Sequence, residues 1–156
     1  MNLRRILTSE CVVLDLESET KAAALCELVD ALVAAGRITD REAALKAVQE
    51  RERKMSTGLQ NGIAIPHGKT DTVDQLVAVF GRKRGGLAFD SLDGQPAHLF
   101  LLTLSPLTRT GPHIQFLAEM SRTLHEAAIR ERILAATSAN EILHLLWGDK
   151  PADPAG

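Results

Sequence analysis

The spacing of apolar positions changes character several times along the chain. A short apolar piece at 3–7 precedes residues 11–16 (CVVLDL), which are rich in Val and Leu and predict a strand. Ala24, Leu25, Leu28, Val29 and Leu32 then recur at helical spacing. They predict a helix over about 19–35, capped by Ser18 and ended by Gly36. Thr39-Asp40-Arg41-Glu42 has the form of a capping box and predicts a second helix running to about Arg53, with Ala43, Ala44, Ala47 and Val48 on its apolar face. Residues 56–62 (STGLQNG) are small and polar and read as a loop. Ile63-Ala64-Ile65 is a short strand cut off by Pro66. Residues 76–82 and 98–104 predict two more strands, the second almost continuously apolar, as a strand buried on both faces would be. Between them Leu92-Asp93-Gly94-Gln95 is turn chemistry.

The last third is helical. Pro112 suits the first turn of a helix carrying Ile114, Phe116, Leu117, Met120 and Leu124. A further helix is expected over about 128–136. Ser138-Ala139-Asn140-Glu141 is a second capping box, opening a last helix that ends near Trp147-Gly148. Strand, two helices, several strands, then helices is the order of an α/β domain: one mixed sheet with helices on its faces. One domain is expected over 3–148, with 149–156 as a frayed tail.

Composition narrows the functions open to such a domain. The 156 residues are 45% hydrophobic and 24% charged, ordinary for a globular protein. Aromatics are only 3% and the net charge is −2, so neither stacking platforms nor a basic stripe for nucleic acid is present. No stretch approaches the ~18 apolar residues that insertion into a membrane requires, and the first residues lack the apolar run of a secretion signal. A cytoplasmic protein is expected. Cys11 and Cys26 lie in apolar stretches and are expected to be buried thiols.

The chemistry concentrates in Gly62-Ile63-Ala64-Ile65-Pro66-His67-Gly68-Lys69. His67 follows a strand directly, is fixed on one side by Pro66, and is followed by a glycine that lets another molecule come close. Imidazole is a competent nucleophile near neutral pH. His113 is the second candidate, at the start of a helix whose free N–H groups attract anions and disfavour a charged ring. Glu50-Arg51-Glu52-Arg53-Lys54 is a charge run of the kind that forms a solvated face, and the pattern leaves open which of Arg51, Arg53 and Lys54 points inward. Ser56-Thr57-Gly58 offers hydroxyl and N–H donors for an anion, without the Gly-Lys-Ser/Thr of a nucleotide-binding loop. His98, His125 and His144 read as structural or surface residues. His67, His98 and His113 lack the close spacing of zinc ligands, so no metal or cofactor is expected.

These pieces occur together in one known family. Arg51-Glu52, Ser56-Thr57-Gly58, Gly62 to Lys69, Phe89-Asp90-Ser91-Leu92-Asp93-Gly94-Gln95-Pro96 and His113-Ile114-Gln115-Phe116-Leu117-Ala118 resemble, in order, the IIA domain of the fructose/mannitol type of the bacterial phosphoenolpyruvate-dependent phosphotransferase system. The resemblance implies a five-stranded mixed sheet between helices. It implies His67 as the phosphorylated residue, with His113 and Arg51 holding the phosphoryl group, and HPr or its nitrogen-branch counterpart as donor. The Phe89–Pro96 stretch and the absence of an attached domain resemble the nitrogen-regulatory branch, which acts on other proteins according to phosphorylation state. Two alternatives stand beside it: a sugar-specific component that passes phosphoryl to a separate IIB domain, and a binding module without catalysis. The chain departs from the family pattern at Gly58-Leu59-Gln60, and Arg109 adds a cation near His113 to which no role is assigned.

Overall fold

The computed structural model describes residues 3–108 and 110–148. Arg109 and the expected frayed tail, 149–156, lie outside the described residues. After a short helix α1 (Leu3–Ile6) and a 3₁₀ turn (Ser9–Cys11), the order is β1 (Val12–Val13), α2 (Lys21–Ala34), α3 (Arg41–Lys54), β2 (Ile63–Ala64), β3 (His67–Lys69), β4 (Val77–Leu87), β5 (Ala97–Ser105), α4 (Gly111–Leu124), α5 (Ala127–Ala135) and α6 (Ala139–Trp147).

The five strands form one mixed sheet, as expected. β5 is its centre: it runs antiparallel to β4 and parallel to both β2 and β3, while β1 lies parallel to β4 on the far side. Because strand residues alternate faces, two neighbours on β4 show what covers each side. A Cβ on Gly81 would meet Leu28 of α2 at 2.8 Å. The next side chain, Arg82, reaches the opposite layer and donates to the carbonyls of Ile133 and Ala136 at the end of α5. Helices α2 and α3 therefore cover one face, and the C-terminal helices the other. Arg82 is wholly buried; its second nitrogen donates to Asp15 at 2.9 Å. These carbonyls lie at the C-terminus of α5, where a helix leaves its last carbonyls without i+4 partners; Ile133 O also accepts from Ala136 N–H.

Several local expectations shift. Thr20, not Ser18, caps α2, its hydroxyl accepting from Ala23 N–H. Ser18 is held back because its N–H and hydroxyl, with the N–H of Glu17, all donate to the carboxylate of Glu27. Asp40, not Thr39, caps α3, accepting from Ala43 N–H, where its charge also suits the helix dipole. The strand expected over 11–16 shrinks to two residues, because Cys11 closes the 3₁₀ turn by donating to Thr8. β4 runs on past 82 through an irregularity between Arg82 and Leu87, where Gly86 takes φ +74°. Ser138 does cap α6, but Glu141 returns its bond to the N–H of Thr137, one residue before the cap. Cys11 is buried and Cys26 half-buried.

Candidate functional site

Both β2 and β3 pair with β5, and Pro66 interrupts the strand between them. Its carbonyl still accepts from Thr103 N–H at 3.1 Å, so the chain resumes pairing at once. His67 is thus the first residue of a strand rather than the residue after one. Its Cα partner on β5 is Thr103.

Alternation again assigns the faces. Gly68 lies against α3: a Cβ there would sit 2.9 Å from backbone atoms of Ala47 and Val48. The close approach that this glycine permits is made by the chain's own helix, not by a second molecule as the sequence suggests. His67, one residue earlier, meets His113 of α4, with ring centroids 5.5 Å apart and planes tilted by 55°. His67 Nδ1 is 3.0 Å from the carbonyl oxygen of Ile65. A carbonyl only accepts, so Nδ1 carries the hydrogen and Nε2 keeps the lone pair.

His113 sits in the first turn of α4, beside Pro112, and is 7% exposed. Its Nε2 lies 2.9 Å from Oγ1 of the fully buried Thr103. Burial pushes its pKa down to about 4, and the unfavourable proximity of a second imidazole, His67, which disfavours a proton on both rings at once, and the nearby ammonium of Lys69 add to the effect. The ring is therefore neutral at physiological pH, with burial as the largest cause.

On the α3 side His67 opens onto a cleft of about 610 Å³. Arg51 and Lys54 line it, together with Lys46, Glu50, Lys69, Asp71 and Leu107. Arg53 lines a different hollow, with Lys21, Glu52 and Asp90. That resolves which members of the charge run face His67. Arg51 donates to Met55 O at 2.8 Å, which steadies the guanidinium at the end of its helix. Lys54 and Lys69 have no ion-pair or hydrogen-bond partner among the described residues.

The run is not a solvated face throughout, since Glu52 is only 7% exposed. Its carboxylate accepts from Thr57 N–H and Thr57 Oγ1 and pairs with Lys21 at 3.0 Å. This changes the reading of Ser56-Thr57-Gly58. Ser56 Oγ donates to Phe89 O, and Gly58 N–H donates to Ser56 Oγ. These donors are engaged inside the chain and do not line the cleft, so the segment anchors the end of α3 instead of offering its groups to an anion. A carboxylate within a charge run and a hydroxyl five residues on gave little sign of this buried pairing.

The remaining histidines lie apart from His67. His98 packs between Gly62 and Gly86, with Nδ1 within 3.2 Å of the carbonyls of Lys83 and Arg84. His125 is the C-cap of α4, and His144 stacks edge-on with Trp147. Among the described residues no three His, Cys, Asp or Glu side chains gather as metal ligands would, and no helix is long and apolar enough to cross a membrane. Thr103 is the residue that sequence reasoning missed. Its signal was there, as the one hydroxyl within the apolar run of residues 99–104.

Comparison with known proteins bears on the family and the fold. The fructose-specific EIIA component of Haloferax volcanii is 38% identical over 145 residues, covering 93% of this chain and 94% of that protein. The fructose-specific EIIABC component of Bacillus subtilis is 36% identical over 94% of this chain, which spans only 23% of that longer protein. The crystal structure of the nitrogen regulatory protein IIA-Ntr from Neisseria meningitidis superposes with a TM-score of 0.82 at 31% identity, covering 92% of this chain and 98% of that one. The family described as the phosphoenolpyruvate-dependent sugar phosphotransferase system, EIIA 2, matches residues 5–147, and the chain belongs to it.

Proposed function

We propose that His67 is the phosphoryl acceptor, that the transferred group arrives on Nε2, and that His113 and Arg51 hold its oxygens. The observation that carries this reading is the commitment of His67 Nδ1 to the Ile65 carbonyl. It leaves Nε2 as the only nitrogen of the ring with a free lone pair, 5.5 Å from the neighbouring ring measured between centroids. In the transfer, that lone pair forms a bond to phosphorus. The bond from phosphorus to the donor's imidazole nitrogen breaks, and its electron pair stays with the donor. No proton has to move. His67 becomes a phosphorylated imidazolium, and its Nδ1–H bond to Ile65 O becomes charge-assisted and stronger. Reaction of this kind depends on positioning and on charges that meet the phosphoryl oxygens. A neutral N–H donor at His113 on one side and the guanidinium of Arg51 on the other supply both.

HPr, or its nitrogen-branch counterpart, is the proposed donor. Leu107 at the cleft and Ile114 next to His113 are 56% and 65% exposed, and they give a docking partner apolar contact beside the reacting atoms. Downstream, the phosphorylated state acts on a regulated protein, a reading supported by the resemblance of 89–96 to the nitrogen-regulatory branch. Delivery to a IIB domain is the second reading. The higher identity to the fructose-specific relatives favours it, as does the joining of A, B and C parts in the name of the Bacillus subtilis protein. Either role is cytoplasmic.

The test is intact-mass measurement at neutral to alkaline pH after incubation with phosphoenolpyruvate, the first enzyme of the system and HPr. An acid-labile gain of one phosphoryl group, absent from His67→Ala, is expected. Labelling of His67→Ala to the same extent would contradict the assignment.

A further inference from the structure

We infer that Thr103 is a positioning residue: its hydroxyl donates to His113 Nε2 and thereby makes Nδ1–H the hydrogen that His113 presents to the phosphoryl group. The inference rests on the phosphoryl-carrier reading given above for the use of that hydrogen, but not for its location.

Thr103 is wholly buried in the central strand, and its Oγ1 lies 2.9 Å from His113 Nε2. A neutral imidazole has one nitrogen that donates and one that accepts. Were Nε2 the donor, Thr103 Oγ1 would accept, and the hydroxyl's own hydrogen would need another acceptor. Oγ1 has no second partner among the described residues. That hydrogen would be buried and unpaired, a cost that native interiors avoid. With Thr103 as donor, the hydroxyl is satisfied and Nε2 is satisfied. Nδ1 then carries the ring hydrogen.

The other end of the ring fits this assignment. His113 Nδ1 has no hydrogen-bond partner among the described residues, yet it is absent from the buried side-chain atoms left unpaired. It is therefore at least partly open. An N–H held at an open position on a ring whose centroid lies 5.5 Å from that of His67 is a donor for an anion, whereas a lone pair there would repel one.

Thr103 is also well placed to link the two histidines. It is aligned with His67 in the β3–β5 register, and its N–H binds Pro66 O, the residue before His67. One strand residue thus fixes the backbone beneath His67 and the tautomer of His113. A valine has the same shape as threonine but lacks the hydroxyl, so Thr103→Val removes the donor and keeps the packing. Thr103→Ser keeps the donor.

The experiment reads the ring nitrogens directly, in protein labelled with ¹⁵N-histidine, by long-range ¹H–¹⁵N correlation at pH 7. In the unsubstituted protein His113 is expected as the Nδ1–H tautomer. Thr103→Val should move it toward the Nε2–H form and slow phosphoryl transfer from phospho-HPr by about tenfold. Thr103→Ser should restore both. An Nε2–H tautomer for His113 in the unsubstituted protein would overturn the inference without recourse to any variant. So would a Thr103→Val protein with unchanged tautomer and unchanged transfer. If the unsubstituted protein shows the Nδ1–H tautomer but accepts no phosphoryl group, the carrier reading falls while the hold of Thr103 on His113 stands.

Discussion

The two sides of His67 are built differently. On the α4 side the partner is a single neutral ring, 7% exposed, fixed by a hydroxyl from the sheet centre. On the α3 side there is an open cleft lined by Lys46, Arg51, Lys54 and Lys69, against Glu50 and Asp71. On the proposed reading the first side works by geometry, through a hydrogen bond from a donor fixed in a largely buried ring. The second works by charge, at groups that water and salt reach. Interactions of the first kind lose much when one atom is removed, while those of the second are diluted by solvent screening.

Removing the imidazole of His113 should cut deepest. His113→Ala is expected to slow phosphoryl transfer about 100-fold or more, in line with the loss of one fixed donor to a developing charge. The loss should be nearly the same at low and high salt. A loss below threefold in single-turnover transfer would break the comparison, since the buried side would then contribute no more than an exposed cation.

The burial of His113 also has a pH signature. In the unfolded chain its pKa returns to the ordinary 6.5, against about 4 in the fold. Between those values the unfolded chain binds the proton and the folded protein does not. The contribution of the neutral ring to stability is therefore full above about pH 6.5 and is lost as pH falls toward 4. The loss is of order 3 kcal/mol. Urea unfolding of the protein and of His113→Asn across pH 4 to 7.5 checks this: the difference in stability between the two should shrink as pH falls. A difference independent of pH would remove the burial argument.

Arg51→Ala should have the smallest effect of the three, about tenfold at low ionic strength. It should shrink as salt rises, because the group stands in an open cleft. Arg51→Lys should recover part of it, as the charge returns but the two-pronged geometry does not. An Arg51→Ala defect that ignores salt would mean that the guanidinium acts by fixed geometry as well, and the contrast between the sides would close.

The sequence was most informative where a local pattern dictates structure. The helical spacing of Ala24 to Leu32, the apolar run of β5, Pro112 in the first turn of α4 and Gly148 ending α6 all act within a few residues. His67 and His113 stood out for the same reason, the first set between Pro66 and Gly68 and the second following Gly111-Pro112. What the pattern did not reveal depends on distant partners. Glu52 is buried because Thr57 and Lys21 meet it, and Lys21 comes from another helix. Arg82, a charged residue within an apolar strand, is buried because the end of α5 presents carbonyls to it from 51 and 54 positions away. Caps slipped by one or two residues where two candidates stood close together, and at α2 the longer-range bonds from Ser18 to Glu27 chose between them. Gly68 shows the opposite failure: its need for space was legible, but not that α3 would take it.

The central claim is that His67 carries the phosphoryl group on Nε2 because Ile65 holds the hydrogen of Nδ1. The direct measurement is the ¹⁵N-histidine correlation spectrum of the phosphorylated protein, recorded at alkaline pH, where the phosphohistidine persists. The account predicts phosphorylation shifts at Nε2 of His67, with Nδ1 still protonated. Phosphoryl on Nδ1 of His67, or on any other histidine, would contradict it.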